Sequence, residues 1–198
     1  MTMIVLLAAG SSRRFGPACK LQSPYRGKPL VRHAADAILA SGIPALAVTA
    51  DPAVEVLLPE FRNFRSIGSQ SRSLRTGLGQ VDDDCALVVL GDMPHVDADL
   101  LRRVAAAPAP AAAFDGHRIS PPATIPRLLF SQVERLSGDR GAASILRSRP
   151  DLHLVPCPED MLKDVDSFED IISFSEAYGG FTGPEADKAG PDLQGCDS

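Results

Sequence analysis

Ile4-Val5-Leu6-Leu7-Ala8-Ala9-Gly10-Ser11-Ser12-Arg13-Arg14-Phe15-Gly16, with Lys20 just beyond, joins an uninterrupted apolar run to a loop rich in glycine, serine and arginine. An apolar run without alternation is the pattern of a strand covered on both faces, as in parallel sheets flanked by helices. The loop that follows carries the chemistry of a polyphosphate site. Glycine lets the main chain approach an anion, serine hydroxyls and main-chain N–H groups donate to its oxygens, and arginine or lysine supplies charge. Spacing excludes two familiar loops. The next glycine after Gly10 is Gly16, and no lysine follows it directly, so the P-loop pattern fails; no G-x-G-x-x-G of a dinucleotide site stands here either.

Outward from this stretch, similar apolar runs recur at 45–50 and 85–90 and, more weakly, at 111–114 and 153–156. Helical patterns lie between them. Leu30, Val31, Ala34, Ala37 and Ile38 recur at helical spacing, with Pro29 suited to the first turn and Gly42 placed to end it. Asp97 before Leu100, Leu101 and Val104, and Pro126 before Leu128, Leu129, Val133 and Leu136, open two further helices. Ser167-Phe168-Glu169-Asp170 has the form of a capping box. Strands alternating with helices predict a three-layer α/β fold, Rossmann-like, with a mostly parallel sheet. In such sheets ligands bind beyond the carboxyl ends of the strands, where strand order reverses, and the loops after Ala8 and Leu90 belong at that edge.

The 198 residues suit one domain, expected over 1–177, and 44% of them are hydrophobic. From Tyr178 onward glycine, proline and acidic residues dominate without apolar periodicity, which predicts a disordered tail over 178–198. A net charge of −5 argues against nucleic acid or an anionic membrane as the main partner, so a phosphate site must be local. Cys19, Cys85, Cys157 and Cys196 lie far apart with no C-x-x-C pair, which suggests neither structural zinc nor a disulfide scaffold and fits reduced thiols in the cytoplasm. Residues 3–9 lack a basic flank and are too short to span a bilayer, so they read as a first strand and not as a signal peptide.

Asp92 ends an apolar strand, where a carboxylate would stand above the sheet. Mg²⁺ takes one or two protein carboxylates together with phosphate oxygens and waters, so Asp92 is a candidate ligand; alone, it would equally suit a turn before Pro94. Asp164-Val165-Asp166 offers a second carboxylate on either side of an extended segment.

The motif L-A-A-G-x-S-x-R-F-G followed by Lys20 and by Gly27-Lys28-Pro29-Leu30 resembles the opening signature of the MobA-like nucleotidyltransferases, and most of all the molybdenum cofactor cytidylyltransferases. Ser73-Leu74-Arg75-Thr76-Gly77-Leu78, Leu90-Gly91-Asp92-Met93-Pro94, Gly138-Asp139-Arg140-Gly141-Ala142 and Asp164-Val165-Asp166 extend the likeness over about residues 3–175. The resemblance implies nucleotide binding by Leu7, Ala8, Ala9, Gly10, Ser11, Ser12, Arg14, Lys20, Ser73 and Asp92. Arg14, Lys20 and Asp92 would serve catalysis, with Mg²⁺ on Asp92 and Asp166 and Asp164 as the reserve ligand. Arg14 and Lys20 would stabilise the departing pyrophosphate, whereas Arg13 falls where the family pattern varies. Ser73 reads as a helix start facing base or ribose, although a plain helix cap accounts for it equally.

The implied reaction joins a nucleoside monophosphate, by resemblance from CTP, to the phosphate of molybdopterin or the molybdenum cofactor, for delivery to a molybdenum hydroxylase. Ala9 is the cytidylyl form of the loop, where guanylyl relatives more often carry glycine. A guanylyltransferase, a sugar- or polyol-phosphate nucleotidyltransferase and a non-catalytic carrier of the molybdenum cofactor are the rivals. The loop from Gly116 to Pro122 corresponds to the acceptor side, but its Gly116-His117-Arg118 departs from the commoner Gly-His-Pro order. His33, His95, His117 and His153 have no metal-ligand spacing; His33 reads as packing, and His117 alone stands in the acceptor loop. Asp82-Asp83-Asp84 reads as a solvated turn before a strand, and a reactive Cys19 beside Lys20 is the weaker reading of that pair.

Overall fold

The structure, a computed structural model, describes residues 1–10, 19–138, 140–166 and 170. Ser11, Ser12, Arg13 and Arg14 of the opening loop, Asp139, Ser167 to Glu169 of the capping box and the expected tail lie outside the described residues. Strand β1 (Thr2–Ala8) leads through a short hairpin, β2 (Pro24–Tyr25) and β3 (Lys28–Pro29), into α1 (Leu30–Ser41). β4 (Ala45–Thr49), α2 (Pro52–Val56), β5 (Arg62–Arg65), α3 (Gln70–Leu78) and β6 (Cys85–Leu90) follow. The second half holds α4 (Ala98–Ala106), β7 (Ala111–Phe114), β8 (Ile119–Pro126), α5 (Phe130–Glu134), α6 (Ala142–Leu146) and β9 (His153–Pro156).

Seven strands form one sheet in the order β5-β4-β1-β6-β8-β7-β9, and of these β8 alone runs against its neighbours. Strand order reverses at the β1/β6 pair, so the predicted switch point lies where the loops after Ala8 and Leu90 leave the sheet. The unbroken apolar run of β1 has a direct cause. Ile4, Leu6 and Ala8 enter the core shared with α1 and α4, while Val5 and Leu7 enter the opposite core, shared with α3 and α6. Among the described residues no helix is long and apolar enough to cross a membrane.

Local chemistry sets the helix ends. The Asp51 carboxylate accepts from Ala53 N at the start of α2, the Asp97 carboxylate accepts from Leu100 N at the start of α4, and Gly42 closes α1 at φ 73°. Pro29 stands one residue before the first turn of α1 instead of inside it. α3 lies unusually close to the sheet. A Cβ on Gly77 would come within 2.3 Å of Val5 Cγ1, below any tolerable contact, so only glycine permits this approach. Gly77→Ala is expected to destabilise the protein by about 1–3 kcal/mol through overpacking, read as a lower urea midpoint at unchanged slope.

Two strands differ from the reading of the sequence. β5 is Arg62-Asn63-Phe64-Arg65, an edge strand with no apolar run to announce it. β8 contains Pro121, Pro122 and Pro126, which argue against a central strand because proline cannot donate to the ladder. The register resolves the conflict: Ala112 pairs with Ala123 but Ala113 pairs with Ser120, so Pro121 and Pro122 occupy the irregularity between them. Pro126 accordingly ends β8 instead of starting a helix; a 3-10 turn (Arg127–Leu129) intervenes before α5.

Candidate active site

Gly10 leaves β1 and Gly91-Asp92 leave β6 side by side at the carboxyl edge. Gly91 N donates to the Leu7 carbonyl at 3.0 Å. A Cβ at Gly91 would lie 3.3–3.4 Å from Val31, Ala8 and the Leu7 oxygen, so the glycine lets these exits close up. Lys20 is positioned by the 3-10 turn Lys20–Gln22, whose Leu21 is buried and whose Gln22 side chain donates to Asp51 at 2.8 Å. The late segment arrives from the end of β9: Val165 N donates to the Asp92 carbonyl at 3.0 Å. Asp170 holds the next residue through its carboxylate, which accepts from Asp166 N at 2.8 Å.

These four segments bring three charges together. Lys20 Nζ donates to Asp92 Oδ2 at 2.9 Å and to Asp166 Oδ1 at 3.1 Å. The lysine side chain is 13% exposed, Asp92 25% and Asp166 53%, so the cluster is sheltered beneath and open to solvent above. Burial works against the Lys20 charge, yet the two carboxylates outweigh it and hold the ammonium above the usual lysine range. Asp164, the reserve candidate, turns instead toward Arg118, with Nη2 at 3.9 Å. Burial, then repulsion from Asp166 and Asp92, pushes the Asp164 carboxyl up.

Two carboxylates gathered about one positive charge are the hard-oxygen pair that a small divalent cation uses alongside phosphate oxygens and water. Among the described residues no three His, Cys, Asp or Glu side chains gather to hold a metal unaided. A cation here would therefore draw the rest of its shell from a ligand.

Leu7, Gln70, Leu90, Arg140, Gly141 and Arg147 line a cleft of about 290 Å³ beside this edge. Leu7, Ala8 and Ala9 are themselves buried, so their main chain and not their side chains would meet a ligand. Ser73 is placed differently from the expected helix start. α3 begins at Gln70 with Ser69 as its cap, whose hydroxyl accepts from Arg72 N. Ser73 sits a turn inside, 3% exposed, its hydroxyl donating to the Ser69 carbonyl at 3.3 Å. Capping passes to Ser69 because it lies just before the first turn, so the exposed start of the helix belongs to Ser69 and Gln70. Gln70 carries no motif; its position directly after a capping serine is the one signal that points to it.

The two acceptor candidates separate. Gly116, at φ 96°, is exposed in the turn between β7 and β8, which the Asp115 carboxylate organises by accepting from His117 N and Arg118 N, both at 2.8 Å. Pro122 is buried in β8, so the turn that carries Gly116 ends at Arg118 and the two residues do not share one loop. Asp82 to Asp84 lead into the amino end of β6, away from the site.

His33 and His95 both pack against Tyr25. Tyr25, 1% exposed, shares a 2.9 Å hydrogen bond between its hydroxyl and His95 Nε2, and its carbonyl accepts from His33 Nε2 at 2.8 Å. Because His95 ends the stretch Asp92-Met93-Pro94-His95, this cluster anchors the loop that presents Asp92. Burial lowers both imidazole pKa values. As pH falls through about 6.5 the unfolded chain binds these protons first. The histidines' contribution is thus present above that pH and lost as pH falls toward their lower folded values. Urea midpoints should drop between pH 7.5 and 5.5, with a shallower drop in His95→Gln; an identical slope in that variant would remove the assignment.

Residues 4–153 match the model of the MobA-like NTP transferase domain. The chain belongs to that family. Nicotine blue oxidoreductase of Paenarthrobacter nicotinovorans is 28% identical to this domain over 189 residues, covering 84% of this chain and 93% of that protein. Rv0371c of Mycobacterium tuberculosis H37Rv superposes with a TM-score of 0.78 at 24% identity, over 88% of this chain and 97% of the other. Rv0371c has also been solved in complex with manganese. Molybdopterin-guanine dinucleotide biosynthesis protein A of Archaeoglobus fulgidus gives 0.67 at 18% identity, over 88% and 97%. The MobA-like domain thus has the three-layer α/β fold of its structural neighbours.

Proposed function

We propose that the protein is a Mg²⁺-dependent nucleotidyltransferase that joins CMP, taken from CTP, to the phosphate of molybdopterin or its molybdenum form. The observation that carries this reading is the meeting of Lys20, Asp92 and Asp166 beside the glycine exits of β1 and β6. Asp92 and Asp166 would hold the cation. When bound, it supplies charge neutralisation at the α-phosphate and orients the leaving group.

The rest of the chemistry belongs to the chain. An oxygen of the acceptor phosphate attacks the α-phosphorus in line, the bond to the β-phosphate oxygen breaks, and pyrophosphate leaves with that electron pair. No proton needs to be removed, since a phosphate monoester is largely dianionic near neutral pH. Lys20 offers its ammonium to the departing charge, which grows in the transition state and is stabilised there more than in the ground state. Among the described residues nothing lies within 4 Å of where a Cβ on Gly10 would stand, which suits close approach of a phosphate.

The Ala9 form of the loop favours CTP over GTP by resemblance. The manganese complex of Rv0371c supports a divalent ion, and the name of the Archaeoglobus fulgidus protein supports a molybdopterin acceptor. Pyrophosphate release with each nucleoside triphosphate, molybdopterin and Mg²⁺ tests the reading: CTP should turn over fastest and chelation should stop it. Tight molybdopterin binding without turnover would replace the enzyme by a carrier.

A second reading rests on the Paenarthrobacter relative, whose name describes an oxidoreductase. In that case the site would have to take a hydride-donating dinucleotide without the G-x-G-x-x-G loop, which the opening stretch lacks. Reduction of a dye substrate by such a donor, with no pyrophosphate released from CTP, would favour it.

A further inference from the structure

Arg118 is the residue by which the turn between β7 and β8 departs from the Gly-His-Pro order. It puts a charged group with several donors where that order puts proline, which has none. The half-buried Asp115 fixes its root: the carboxylate accepts from Arg118 N at 2.8 Å and pairs with Arg118 Nε at 3.4 Å. From there the guanidinium crosses to the chain that follows β9. Its Nη2 donates to the Leu162 carbonyl at 2.6 Å and stands 3.9 Å from Asp164 Oδ1. One forked cation thus serves two carboxylates and a carbonyl, which a single ammonium could not match.

The chain it reaches is the one that delivers the second carboxylate of the site. That chain leaves the sheet where Cys157 N donates to the Phe114 carbonyl at 2.9 Å, and it arrives at the site where Val165 N donates to the Asp92 carbonyl at 3.0 Å. Between these two bonds Leu162 is buried, and Arg118 holds its carbonyl. Asp164 and Asp166 flank the buried Val165, are both exposed, and differ in which cation claims them: Arg118 pairs with Asp164, and Lys20 with Asp166. The charges of Asp166 and Asp92 both repel Asp164. A carboxylate turned loose at that distance would add a third negative charge to the cluster.

We propose that Arg118 is a positioning residue for the cation site: it clamps the segment at Leu162 so that Asp166 meets Lys20 and Asp92, and it draws Asp164 aside. This rests on the nucleotidyl-transfer reading and adds to it the reason why Asp166 and not Asp164 completes the pair. Two carboxylates leave room on a small divalent ion for phosphate oxygens and water, whereas a third nearby charge would repel the incoming polyphosphate.

The test compares Arg118→Met and Arg118→Lys with the wild-type full-length protein. Hydrogen exchange at the Val165 amide reads the clamp directly, without metal or nucleotide. It should speed up at least about tenfold in Arg118→Met, the scale of losing one charged hydrogen bond, and much less in Arg118→Lys, which keeps one charged donor. Amides of β1 and β6 should exchange as in the wild type, since the opening is local. Mn²⁺ binding in the presence of CTP, followed by electron paramagnetic resonance, should weaken about tenfold in Arg118→Met and recover in part in Arg118→Lys. The proposal is overturned if Val165 stays protected in Arg118→Met, if the β1 and β6 amides speed up equally, or if Mn²⁺ binding is unchanged once that protection is lost. A wild-type protein that binds no Mn²⁺ with CTP, yet shows the expected exchange pattern, would overturn the nucleotidyl-transfer reading and leave the clamp standing.

Discussion

Asp92→Asn is expected to slow Mg²⁺-dependent pyrophosphate release by about a thousandfold or more, the scale of losing one preorganised electrostatic contact at a reacting phosphate. The side chain keeps its shape and loses its charge, so it can still accept from Lys20 but no longer anchors a cation. The fold should survive, since Asp92 is partly exposed and its carbonyl bond to Val165 is main chain. Circular dichroism and the thermal midpoint check that point, and single-turnover kinetics check the first. Wild-type turnover in a folded Asp92→Asn protein would falsify the metal assignment.

Lys20→Met should act twice. Turnover falls by about a hundredfold or more, because the departing pyrophosphate loses its cation. Stability also falls without metal, as Asp92 and Asp166 then face each other with no positive charge between them. Both carboxylates are partly exposed, so solvent screening limits this loss to about 1–2 kcal/mol. Millimolar Mn²⁺ should restore the loss in the variant and shift the wild-type protein less, since there the ammonium already neutralises the pair. Urea unfolding with EDTA and with Mn²⁺ measures the difference. Equal metal responses in the two proteins would show that Lys20 does not occupy the position of a cation.

The order of the fold was legible because β1, β4 and β6 are buried on both faces and announce themselves as apolar runs bounded by turn residues. β5 and β8 were not: one is an arginine-flanked edge, and the other hides Pro121 and Pro122 in an irregular pairing that only its neighbour β7 explains. The same contrast holds in the site. Asp92 stands where a strand must end, so sequence places it at the edge. Ser73 was misplaced by one turn because serines at 69, 71 and 73 compete as caps and local pattern does not rank them. Arg147 has no motif and takes its place from the packing of α6 across the sheet, a relation between distant segments that no local window contains.

The main-chain bond from Val165 to Asp92 joins segments 73 positions apart, and the later one follows the outermost strand of the sheet. During synthesis, β1, β4 and β6 emerge and can associate long before Asp166 leaves the ribosome. A nascent or truncated chain ending before Val165 would thus possess Gly10, Gly91 and Asp92 yet lack Asp166. On the proposed reading, competence to handle a reactive nucleotide would be deferred until translation has passed the last strand, and a premature stop would yield an inert product in place of a half-active one.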